Sequence, residues 1–208
     1  MPGILNSYWG GSPTPPGGDA TWNPADKTAG FTLSGGDLTA SDGGSSSYEN
    51  VRATEGKSSG KYYWEITVTS ASVGNDMVVG LRNDAENISD NWSIADDFGL
   101  RSNGSTTVGG SSATVAITPG ISFDALNAVI MQAVDFDAGK YWQGRDGVWA
   151  GTPEGDPAAG TDPTITNIPA GTWKPWVGTD NSGNTVSFTA NFGATAYAHT
   201  APAGFGNF

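Results

Sequence analysis

Cysteine is absent from this sequence of 208 residues. That excludes disulfides, zinc–thiolate centres and cysteine nucleophiles, and it leaves the redox compartment open. Histidine occurs once, as His199, so a histidine-based triad would need Ser or Thr and Asp to converge on that single residue. The expectation for His199, in Ala198-His199-Thr200 near the C-terminus, is an exposed structural role. Positive charge is scarce: 9 basic against 21 acidic residues leave a net charge of −12. A chain so acidic repels phosphate backbones and anionic head groups, which argues against nucleic acid and membrane surfaces as partners. Charged residues of either sign make up only 14%, so the surface is expected to be mostly Ser, Thr, Asn and Gly. No apolar run approaches the roughly 20 residues of a membrane span. The opening Met1-Pro2-Gly3-Ile4-Leu5-Asn6 has neither the basic nor the apolar region of a signal peptide. No heptad pattern and no repeat of fixed period is visible.

Turn formers are abundant, with 31 Gly and 12 Pro, which suits many short strands rather than helices. The chain also carries 8 Trp, 6 Tyr and 8 Phe, too many bulky rings for a disordered polymer. At 21.3 kDa a folded chain hides roughly 70% of its unfolded surface, so a core can form without covalent staples. Residues 1–20 stand apart as an arm. An apolar knot of Ile4, Leu5, Tyr8 and Trp9 precedes a Pro/Gly section, Gly10 to Gly18, that reads as an extended linker. The knot is too short to form a core alone, and its expected role is to dock on a partner. Residues 21–208 are expected to form the globular domain.

Strand signals run through that domain. Phe31 to Ser34 and Leu38 to Ala40 flank a Gly35-Gly36-Asp37 turn. Lys61 to Thr69 is the strongest strand, rich in aromatic and β-branched residues. Tyr63, Glu65, Thr67 and Thr69 share one face, and Tyr62, Trp64, Ile66 and Val68 share the other, the expected core face. Met77 to Leu81 reads as a short buried strand. Leu126 to Phe136 alternates with period two and runs into an Asp137-Ala138-Gly139-Lys140 hairpin turn. Pro175 to Gly178 and Thr185 to Phe192 supply the last strands, with Pro175 marking a strand start. Trp64, Phe136, Phe188 and Phe192 are expected in the core, and Asp84 to Gly110 as a long polar loop region.

Several of these segments resemble the SPRY domain family. Gly60-Lys61-Tyr62-Tyr63-Trp64-Glu65-Ile66 is similar to its "GKYYWEV" strand, and Val79-Gly80-Leu81 to the short strand that follows. Val134 to Lys140 resembles its "vDldagki" hairpin. Gly144-Arg145-Asp146-Gly147-Val148-Trp149 stands where the family has "G-K-N-G-x-W", with Asp146 in place of Asn. Asn191-Phe192-Gly193 with Pro202-Ala203-Gly204-Phe205 matches its closing motif. Thr21 to Lys27, Val51 to Thr54 and Gly155 to Gly160 resemble SPRY-containing structural proteins of tailed bacteriophages. The resemblance implies an all-β, antiparallel two-sheet β-sandwich of the SPRY/concanavalin A-like jelly-roll type, carrying a short extended N-terminal arm. It also implies a binding module without catalysis.

Catalytic signals are thin. Glycosidases on such sandwiches place two glutamates and an aspartate along one strand, whereas Trp64 to Thr69 offers Glu65 alone, so a glycan hydrolase is disfavoured and Glu65 reads as a structural acceptor. Asp135 and Asp137 share a face, yet Gly139 and Lys140 break the calcium-loop pattern, so no metal or cofactor is expected. Three Asn-x-Ser sequons (Asn87, Asn91, Asn103) mark polar loops. The candidate ligand-binding residues are Tyr48, Trp92, Asp97 and Trp149, rings and a carboxylate in polar segments of the kind a glycan or peptide face needs. The expected function is a virion structural protein, a decoration or fibre type that docks through its arm on capsid or tail. It would be present in many copies or as a homo-oligomer on the particle surface. The alternative is an adhesin for a host glycan or surface protein.

Overall fold

The computed structural model describes residues 20–45, 47–71, 77–89, 97–108, 114–115, 121–123, 125–180 and 185–208. Ile4, Leu5, Tyr8, Trp9 and Trp92 lie outside the described residues. The strands are β1 (Trp22–Lys27), β2 (Phe31–Ser34), β3 (Thr39–Gly43), β4 (Glu49–Ala53), β5 (Lys61–Ala71), β6 (Met77–Asn83), β7 (Asp97–Arg101) and β8 (Thr106–Val108). They continue with β9 (Thr114–Val115), β10 (Val129–Asp135), β11 (Lys140–Arg145), β12 (Val148–Trp149), β13 (Ile165–Thr166), β14 (Trp173–Thr179), β15 (Thr185–Asn191) and β16 (Gly206–Asn207). One sheet has the order β1-β4-β14-β6-β7-β8 and the other β2-β3-β15-β5-β10-β11-β13-β9, with β12 on β11 and β16 on β5. Pairing is antiparallel except for β16, which runs parallel to β5 at Tyr62 and Tyr63. The all-β sandwich read from the sequence is therefore the fold.

Period-two alternation explains how the two sheets share a core. Trp64, Ile66 and Val68 of β5 meet Val79, Leu81, Phe98, Trp173 and Val177 of the facing sheet, all buried. The other face of β5 is buried as well. Tyr63 joins Met131, Ala133, Trp142 and Phe205 in a second cluster, with Trp149, Tyr197 and Ala201 packed on it. The chain beyond β15 thus covers the outside of the larger sheet, and the two-residue β16 extends β5 where β15 no longer pairs with it. Phe208 completes this by entering the main core with its ring 5.0 Å from that of Trp64. The core also holds a polar knot: Tyr141 donates to Gln132, and Gln143 Nε2 donates across the sandwich to the Val79 carbonyl at 3.3 Å.

Four expectations are corrected. The strand expected from Leu126 starts only at Val129, because Asn127 takes a left-handed φ of 66° and turns the chain, leaving Leu126 59% exposed. Its far end also stops short: Phe136 lies past Asp135 in the hairpin turn, half-buried and packed against the core. The polar stretch Asp84 to Gly110 contains β7 and β8, and the alternating Phe98 and Leu100 of β7 point into the core. Pro175 sits third in β14 rather than at its start. Its missing N–H is tolerated where pairing with β4 begins only at Trp176.

Candidate binding site

Of the sequence-derived ligand residues, Tyr48, Asp97 and Trp149 are described and do not converge, and Trp92 lies outside the described residues. Tyr48 precedes β4 of the six-stranded sheet and is 38% exposed. Trp149 lies in β12 of the other sheet, half-buried, its ring 6.2 Å from Tyr63 and its N–H bonded to Glu154 Oε1 at 2.9 Å. Asp97 is corrected from a loop carboxylate to a strand residue. It opens β7 on the face of the sheet turned away from the core, 3.1 Å from Arg82 Nε, and both side chains are 0% exposed. The Arg82 guanidinium also lies 5.3 Å from the Trp176 ring, whose Nε1 donates to Asn50 Oδ1 at 3.0 Å. Asp97 is thus employed in a buried ion pair with Arg82.

Glu65 is saturated by protein donors. Its Oε1 accepts from the Tyr63 hydroxyl at 2.7 Å and the His199 N–H at 2.8 Å, and its Oε2 accepts from the Ala198 N–H at 2.8 Å. The carboxylate thus pins residues 197–199 onto β5, as the structural reading expected, and His199 is half-buried rather than exposed. Burial, then the hydrogen bond and charge of Glu65, push the Tyr63 phenol far above its ordinary range. Burial and the same carboxylate push Tyr197 up too. Neither phenol is poised to act as an acid or base near neutrality. Asp135 is likewise occupied, accepting from the Ala138 N–H at 3.0 Å and pairing with Lys61 at 2.9 Å.

The open space lies elsewhere, at the tip of the β10–β11 hairpin. Asp135 and Lys140 form its last cross-strand pair, and Gly139 takes a φ of 62° to close the turn Phe136-Asp137-Ala138-Gly139. Asp137 Oδ1 accepts from the Gly60 N–H at 3.0 Å, tying the tip to the segment that leads into β5. The opposing wall is the chain after β13. Ile168 N–H donates to the Gly139 carbonyl at 3.1 Å, and the Pro169 carbonyl accepts from Trp173 Nε1 at 3.0 Å. Between them is a cleft of about 450 Å³ lined by Ser58, Phe136, Asp137, Asn167, Ile168 and Pro169, among others. That volume falls within the roughly 300–1,000 Å³ of clefts that hold a small ligand or part of a peptide. Asp137 was visible in the sequence as part of a carboxylate pair; the wall from Asn167 to Pro169 carried no signal, because it becomes a wall only when β13 docks on β11.

No protein-family model and no curated protein matches the chain. Among solved structures it is similar to the SPRY domain of human HERC1, at 17% identity over 82% of this chain and 96% of that one, with a TM-score of 0.63. It is similar to the PSpry domain of TRIM65 at 14% identity over 81% and 90%, with a TM-score of 0.53. A human SPRY domain aligns at 15% identity over 77% and 94%, also with a TM-score of 0.53. The architecture of the described residues is that of the SPRY-type sandwich.

Proposed function

We propose that the chain is a non-catalytic binding module of a tailed-phage particle, docked through residues 1–20 and presenting the sandwich on the particle surface. The observation that carries the module reading is the SPRY-type sandwich whose central-strand carboxylate, Glu65, is consumed by three structural donors while a cleft of about 450 Å³ stays open. Support for the virion setting comes from the three phage-like segments, two of which are joined: Asp26 of the first receives a bidentate pair from Arg52 of the second, at 2.8 Å on each oxygen. A second reading, host adhesin, is favoured by the rim where Val148 is 55% exposed beside the Trp149 ring. The test is particle assembly with the full chain and with residues 1–18 deleted. The deletion is expected to leave a folded protein that no longer enters particles. Incorporation at wild-type occupancy would sink the docking role, and binding to host cells lost on Trp149→Ala would move the reading to adhesin.

A further inference from the structure

We propose that the cleft at the β10–β11 hairpin tip seats the basic side chain of a protein partner, arginine ahead of lysine, with Asp137 as the residue that selects it. This rests on the binding-module reading and names the chemistry of the partner.

The charge balance around the cleft carries the inference. Each cation near it is already engaged. Lys61 pairs with Asp135 at 2.9 Å, and Lys140 Nζ donates to the Gly160 carbonyl at 2.7 Å. Lys57, next to the lining residue Ser58, is 3.6 Å from Glu55 and within 5.5 Å of the Tyr62 ring centre. Asp137 is exposed, and its one hydrogen bond among the described residues is the Gly60 N–H on Oδ1. Asp137 lines the cleft with no cation paired to it among the described residues, on a molecule of net charge −12. The Ser58 hydroxyl, also exposed, has no hydrogen bond among the described residues. Phe136, Ile168 and Pro169, half-buried, line the same cleft with apolar surface. A carboxylate in a cleft that also offers apolar surface matches a long side chain that is aliphatic along its stem and cationic at its tip. The planar guanidinium adds stacking on an aromatic face such as Phe136, which an ammonium lacks. Long-range attraction by the acidic surface would further favour a basic partner.

The experiment is an amide-shift titration of the full isotope-labelled chain with Nα-acetyl-arginine amide, Nα-acetyl-lysine amide and the neutral Nα-acetyl-citrulline amide. Arginine is expected to shift the Ala138, Gly139 and Ile168 amides saturably and to bind about threefold tighter than citrulline, the margin of one exposed charge pair. Asp137→Asn retains an oxygen for the Gly60 N–H, so it keeps the turn and is expected to erase that margin. Ala170 also lines the cleft, so Ala170→Trp is expected to fill it and to abolish binding of all three probes. No saturable shift at these amides, equal affinity for arginine and citrulline, or an unchanged margin in Asp137→Asn would each overturn the proposal. Particle incorporation decides the module reading separately: a chain that enters particles but ignores the probes loses only the cleft assignment.

Discussion

Trp64 and Glu65 are neighbours on β5 and face opposite ways, which makes them a sensitive pair of probes. Trp64 is fully buried and contacts the rings of Tyr141 and Phe208. Trp64→Ala is expected to cost about 3–5 kcal/mol through lost transfer energy and an unfilled cavity, read as a drop in the urea midpoint. A midpoint unchanged from wild type would place the core on the other face. The buried phenols set the alkaline behaviour. Tyr63, Tyr141 and Tyr197 are all held above the ordinary phenol value, each chiefly by burial. The folded protein therefore keeps three phenolic protons that the unfolded chain releases above about pH 10. The unfolded state then binds fewer protons, so stability is expected to fall as pH rises through that value and to be insensitive to these groups below it. Phenolate absorbance should show Tyr63, Tyr141 and Tyr197 silent until the chain unfolds.

At the scale of the element, the β11–β12 connection shows what a local signal can specify. Asp146 and Gly147 both take positive φ, 49° and 89°, the pattern of a type I′ hairpin turn that Asp-Gly and Asn-Gly favour. Asp146 Oδ1 also accepts from the Val129 N–H at 2.9 Å, which ties the turn to β10. Asp146→Asn keeps an amide oxygen for that N–H and the Asn-Gly pair suits the same turn, so it is expected to change stability by less than about 0.5 kcal/mol. Gly147→Ala forces a side chain into left-handed backbone at a cost of roughly 1–2 kcal/mol, and its Cβ would crowd the His199 ring at 3.3 Å. Thermal melts of the two variants check the contrast; equal losses would mean that the turn type is not what holds the hairpin.

Over the whole molecule, the chain after β15 behaves as a structural strap and not as a loose end. Phe208 lies in the main core, its ring near both Trp64 and Tyr62. Tyr197 hydrogen-bonds the Tyr63 carbonyl at 2.8 Å, so the strap is fixed at both ends of its path. Phe208→Ala is expected to cost about 3–5 kcal/mol. It should also raise amide exchange at Ala198 and His199, whose N–H groups depend on Glu65 staying in place. Protection at those two amides equal to wild type would show that the strap's two ends are energetically independent.

The all-β class, the core face of β5, the Gly35-Gly36-Asp37 and Asp146-Gly147 turns, and the structural employment of Glu65 were legible in the residues alone. These follow from period-two alternation and turn chemistry, which are properties of a few adjacent residues. The sequence also singled out Val79-Gly80-Leu81 without a reason. The reason is tertiary: a Cβ on Gly80 would fall on the Phe98 carbonyl oxygen of β7, so only glycine lets these strands pair. Asp97 was misjudged for the same cause. Its polar surroundings in sequence read as a loop, whereas docking of β7 on β6 sets it opposite Arg82. The cleft was decided by structure alone, since Ser58, the hairpin at 136–139 and the chain after β13 meet through strand pairings between segments far apart in sequence. Local patterns specify which residues face inward; they carry no record of which strand will lie alongside, because that choice depends on the joint packing energy of the whole sandwich.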